Sequence, residues 1–137
     1  MYKLFLALFA LMVLGCKEEN SLAPAQDAEE AGTRFIRASL DGDYAKARFY
    51  LLKDSTNLFL MKQQQSNYDH MAANEKRGFR ESSIRPIQIL NQNDSVTLYR
   101  YYYTANPTDT TTLRITKVND EWLVDLKSFF DQKSRDK

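Results

Sequence analysis

The chain has 137 residues, 19 of them Lys or Arg and 18 Asp or Glu, for a formal charge of +1. That near-neutrality excludes the basic footprint of a nucleic-acid binder. With one cysteine and one histidine the chain has no internal disulfide and no multi-histidine or Cys/His zinc site, so its fold must rest on the core alone. No nucleophile motif such as G-x-S-x-G and no phosphate loop occurs, and no cofactor is implied.

At the start, residues 1–3 bring one positive charge, and residues 4–14 (LFLALFALMVL) are unbroken apolar sequence. A bilayer core of roughly 30 Å needs about 20 apolar residues, so this run is too short to cross it. It matches the apolar region of a secretory signal, about 7 to 15 residues long. A buried helix of a globular domain would read similarly, but the run begins at the initiator Met and ends at a small residue followed by Cys16. Val13-Leu14-Gly15-Cys16 resembles the lipobox of bacterial lipoproteins, with Val13 in place of the more usual leucine. The resemblance implies that residues 1–15 are a signal peptide cut after Gly15, that the Cys16 thiol carries a diacylglyceryl group, and that the new amine is acylated. Each buried methylene contributes about 0.8 kcal/mol and stable anchoring needs two chains, so two or three acyl chains of the palmitate kind would hold the protein at a membrane.

Lys17-Glu18-Glu19 follows. It resembles the short Lys-plus-acidic signal that sends some lipoproteins of Bacteroidetes-type bacteria to the outer face of the outer membrane; it reads equally well as the start of a solvated linker. Residues 16–26 are expected to be the lipidated cysteine and a flexible tether with a reach on the order of 30 Å. Loss of the leader removes only Lys3, leaving 18 basic side chains against 18 acidic ones. A single ordinary domain of about 120 residues remains, lipid-anchored in the cell envelope, with the outer membrane its expected place on the periplasmic or surface face.

From Asp27 the apolar spacing predicts helices. Ala28, Ala31, Phe35 and Ser39 form a stripe widened by Ile36 and Leu40, with Asp27 and Glu30 as a capping box and Gly42 past the end. Asp43 would cap a short second helix through Leu52. Asp54 or Ser55 would cap a third, with apolar positions Leu58, Met61, Tyr68, Met71 and Ala72, running to about Arg77 and ended by Gly78.

After Ser83 the period changes to two. Residues 84–90, 95–104, 110–118 and 122–126 are predicted strands, separated by turns at 91–94, 106–109 and 119–120. A two-residue Asn119-Asp120 turn sets Val118 opposite Glu121, Lys117 opposite Trp122, Ile115 opposite Val124 and Leu113 opposite Leu126, with Arg114 and Asp125 as an opposite-charge pair on the other face. The expected class is α+β, with N-terminal helices on one face of a curved four-stranded antiparallel sheet in residues 27–127 and a polar tail over 128–137.

The segments "FIRASLDGDYAKARFYL" and "LRITKVNDEWLVDL" resemble the nuclear transport factor 2-like superfamily of cystatin-like fold, closest to a domain-of-unknown-function group found in small bacterial lipoproteins. The resemblance implies a sheet wrapped around helices into a cone with an open end. Some relatives are isomerases or dehydratases and others binding modules, so fold alone assigns no function.

Two sites follow from strand periodicity. If Ile87 and Ile89 pair with Leu98 and Val96, Arg85 comes opposite Arg100, and two adjacent arginines repel unless an anion joins them. Arg85, Arg100 and Tyr102, with His70 from the third helix, are the candidate anion-accepting mouth; alternatively the arginines reach solvent or pair with Glu75 or Glu81. Tyr99, Tyr101 and Tyr103 share the other face, either as cross-strand packing or as an exposed sheet interface for a homodimer or ligand. For catalysis, Asp43, Asp69, Asp125 and His70 are the available groups, with Asp43 spoken for as a cap and Asp125 by Arg114. We expect a non-enzymatic binding or scaffold domain for a small molecule or an envelope protein, or a spacer in a larger envelope complex. The rival is an isomerase- or dehydratase-type enzyme using the cone pocket.

Overall fold

The computed structural model describes residues 22–128, in the order α1 (Ala28–Asp41), α2 (Tyr44–Phe49), α3 (Ser55–Asp69), α4 (Ala73–Glu81), β1 (Ile84–Asn93), β2 (Val96–Tyr103), β3 (Asn106–Val118) and β4 (Glu121–Asp125). The leader, Gly15, Cys16, residues 17–21 of the tether and the tail from residue 129 lie outside the described residues.

Side-chain caps start the first three helices. Asp27 accepts the Glu30 N–H at 2.7 Å, and Glu30 accepts the Gln26 N–H, closing the capping box one residue early. Asp43 accepts from Lys46 N and Asp54 from Asn57 N, as the sequence predicts. α1 ends at Gly42 in the left-handed region, φ 75°, where a Cβ would come within 2.5 Å of the Tyr68 ring.

Two helix ends differ from expectation. α2 stops at Phe49 rather than Leu52, because the chain there pairs with β4: Leu52 N donates to Val124 O at 2.9 Å and Val124 N to Tyr50 O at 2.8 Å. The expected third helix is two. α3 closes at His70, and α4 turns back to lie on α1 with Gly78 inside it. Arg37 of α1 fixes that return, giving its guanidinium to the carbonyls of Ser82, Phe79 and Arg80 at 2.7–3.3 Å while holding Asp41. These are carbonyls at the C-terminal end of α4, where Phe79 O also accepts from Ser82 N at 3.1 Å.

The four strands form one antiparallel sheet in the order β1-β2-β3-β4. The β3–β4 hairpin has the expected register, and Asn119 and Asp120 both take positive φ, 49° and 62°, as a primed two-residue turn requires. Lys117 lies over the Trp122 ring. Arg114 does stand opposite Asp125, but Asp125 Oδ1 instead accepts from the buried Asn57 amide at 3.1 Å. The other expected turns shift. β1 continues to Asn93, and the chain reverses at Thr104-Ala105, where Ser82 Oγ accepts from Ala105 N and Thr104 Oγ1 from Ser83 N, both at 2.9 Å.

α1 packs across all four strands, so closely at Gly32 that a Cβ would lie 2.7 Å from Ile115 Cδ1. Phe35, Leu51, Met61, Tyr99, Ile115 and Val124 are buried in the core between the layers. Each such burial contributes about 1.5–3 kcal/mol. On α3 the inward stripe runs through Asn57, Leu60, Met61 and Tyr68, whereas the expected Leu58 is exposed. The end of the tether is fastened to the domain: Ala25 is buried and Ala23 O accepts from Tyr50 OH at 2.9 Å and from Arg34.

Candidate functional site, a tyrosine-walled cleft

Alternation along β2 turns Tyr99, Tyr101 and Tyr103 toward the helices. Tyr99 is wholly buried and its hydroxyl lies 3.2 Å from Thr33 Oγ1, so of the two readings of the stripe the packed one holds for Tyr99 and Tyr101, with Tyr103 half-buried. Along the strand the core thins. Tyr101 and Tyr103 reach an open cleft of about 320 Å³ between the helices and the sheet. Phe35 and Leu40 of α1, Tyr44 of α2, Tyr68 of α3 and Phe79 of α4 complete its aromatic and aliphatic wall. Tyr44 meets Tyr68 edge-on at 5.7 Å and Phe79 meets Tyr103 at 5.6 Å, which fixes four of the rings.

One charged residue enters this wall. Tyr101 pairs with Thr111 and Tyr103 with Asn106, so residues 107–110 of β3 stand against Tyr102 alone. The surplus backbone leaves the ladder and carries Asp109 to the cleft. A second hollow of about 400 Å³ adjoins, sharing Met71, Phe79 and Tyr103 and adding Glu75. Among the described residues neither Asp109 nor Glu75 enters an ion pair.

Burial favours the protonated phenols of Tyr44, Tyr101 and Tyr103. Tyr44 is pushed up to about 12 by burial first, then by Tyr68 and Asp69. Burial raises Tyr101 strongly, with Tyr103 adding to it, and raises Tyr103, with Asp109 adding. The cleft therefore offers neutral hydroxyl donors, ring faces and a carboxylate.

The residues of the expected anion mouth come together only in part. A bulge at Ile87 resets the register so that Arg85 faces Tyr102 and Gln88 faces Arg100. Arg85, Arg100 and Tyr102 share the sheet face turned away from the helices, while His70 sits exposed at the end of α3, its Nδ1 donating to Ser66 O. Of the acids considered for catalysis, Asp43 caps α2, Asp125 is held by Asn57, and Asp69 is exposed at the end of α3; none lines the cleft. Tyr44, Tyr68 and Asp109 were not expected there. The apolar spacing of the third helix marked Tyr68 only as core, Tyr44 was simply part of the short second helix, and Asp109 sits in a segment with turn composition.

No family model, curated protein or solved structure matches the chain. No helix among the described residues is long and apolar enough to cross a membrane.

Proposed function

We propose that this is a lipid-anchored cell-envelope protein whose domain, a cone of the nuclear transport factor 2-like type, binds a small ligand without transforming it. The cleft carries the reading: an open hollow with aromatic walls, a few convergent polar groups and tyrosines kept neutral is the usual form of a small-molecule site. The anchor reading rests on the Val13-Leu14-Gly15-Cys16 sequence, and Lys17-Glu18-Glu19 supports the outer membrane as its location. Mass spectrometry of the protein from its native membranes is expected to find diacylglycerol on Cys16 and no leader; a bare thiol with residues 1–15 attached defeats the anchor. For the cleft, the full chain in phosphatidylcholine nanodiscs is titrated with phenylbutanol, a neutral aryl-alkyl probe. Shifts of the Tyr101, Tyr103 and Phe79 resonances are expected; saturation without any change at these rings defeats the binding reading.

The presence of Asp109 in the same wall as Tyr101 and Tyr103 favours one alternative, an isomerase- or dehydratase-type enzyme with a carboxylate base and phenol donors. Deuterium uptake from heavy water beside the carbonyl of a bound ketone, lost in Asp109→Asn, would decide for the enzyme.

A further inference from the structure

We infer that the ligand of this cleft is a hydrophobic cation, an amine or quaternary ammonium carried on an aryl or alkyl body. The inference rests on the binding reading above and specifies the head group. Three observations combine. The wall of the cleft is mostly aromatic and aliphatic, with Ser39, Gln64, Asn67 and Thr111 as neutral polar residues, and its single charged residue is the exposed Asp109. The adjoining hollow adds one more charge of the same sign, Glu75, and both carboxylates lack an ion-pair partner among the described residues. Neither hollow has a lysine or arginine in its wall.

An anionic ligand would enter hollows whose only charged wall residues are carboxylates. A neutral ligand would leave the charge of Asp109 without a counter-charge. A cation answers both, since a carboxylate within a few ångströms favours it and the faces of Tyr and Phe rings attract it. The aromatic surface here already holds one cation from outside: Lys76 Nζ lies 5.3 Å from the Tyr68 ring centroid, donating to Asp69 O, and is not part of the cleft wall. The phenols are donors that suit a polar atom on the ligand body, and Phe35, Leu40 and Leu113 suit its apolar part.

Three probes of one shape separate the possibilities: phenylbutylamine, phenylbutanol and phenylbutyrate, titrated into the full chain in phosphatidylcholine nanodiscs with empty discs subtracted. A hydrogen bond to a charged group contributes enough that the amine is expected to bind about tenfold or more tighter than the alcohol, and the carboxylate weakest. Asp109→Asn is expected to abolish the preference for the amine over the alcohol, and an unchanged thermal midpoint, expected for an exposed side chain, shows that the variant is folded. Glu75→Gln is expected to weaken the amine by a smaller factor. Equal affinity for the three probes, preference for the carboxylate, or an amine affinity untouched by Asp109→Asn overturns the cationic assignment and leaves the cleft a binding site. Failure of all three to bind defeats the binding reading itself, and the cationic assignment with it.

Discussion

Asn57 has no exposed surface, and its side chain is used in three directions: Nδ2 donates to Asp54 Oδ2 and to Asp125 Oδ1, each at 3.1 Å, and Oδ1 accepts from Leu126 N at 2.7 Å. Helix start and strand end are thereby tied through one amide. Asn57→Leu keeps the branched shape but strips two carboxylates of a donor and a buried N–H of its acceptor, so a loss of about 2–3 kcal/mol is expected in urea unfolding. Asp54 in the same cluster is held down from 3.8 to about 2, by the Asn57 N–H first and then by Lys127. Unfolded Asp54 protonates earlier as pH falls, so its contribution is complete above 3.8 and disappears by about 2. Unfolding midpoints of the native chain and Asp54→Asn are expected to differ at neutral pH and to converge across that window. Half-exposed ion pairing with Lys127 keeps the difference modest.

At the scale of elements, α4 is the weakest piece. It lacks a side-chain cap at Ala72, buries no residue fully and carries Gly78 mid-helix. A Cβ at Gly78 would meet nothing within 4 Å, so Gly78→Ala is expected to raise stability by about 0.5–1 kcal/mol, seen as a higher thermal midpoint. The glycine suggested a helix end because glycine usually marks one; here the break falls eight residues earlier, at His70, where α4 must reverse to bring its C-terminus to Arg37. β1 shows a related effect. Its alternation gave a straightforward pairing of Ile87 with Leu98, yet Ile87 is exposed in a bulge next to Pro86, whose missing N–H and fixed φ disturb the ladder.

For the molecule as a whole, the two faces of the sheet have separate roles. The helix-covered face holds core and cleft; Arg85 and Arg100 stand on the other. The double substitution Arg85→Ala, Arg100→Ala is therefore expected to leave phenylbutylamine binding unchanged. Gly42→Ala acts at a distance of one turn from the cleft but intrudes on the Tyr68 ring and strains a positive φ. It is expected to cost about 1 kcal/mol in stability and also to weaken the probe, because Tyr68 is part of the wall. Calorimetric titration and thermal unfolding of the same preparations read both effects.

Much of this domain was legible in one dimension. The caps at Asp27, Asp43 and Asp54, the left-handed Gly42 and the Asn119-Asp120 hairpin follow from local rules, because each depends on a side chain meeting backbone within four residues of itself. The α+β order follows from the change of apolar period after Ser83. The cleft did not follow. Its carboxylate arrives through a ladder irregularity between β2 and β3, its rings come from five elements, and the partner of Asp125 is an asparagine on α3 rather than the arginine across the hairpin. Those choices are made by competition among distant groups for the same space and the same hydrogen bonds, which sequence spacing does not record and tertiary packing decides.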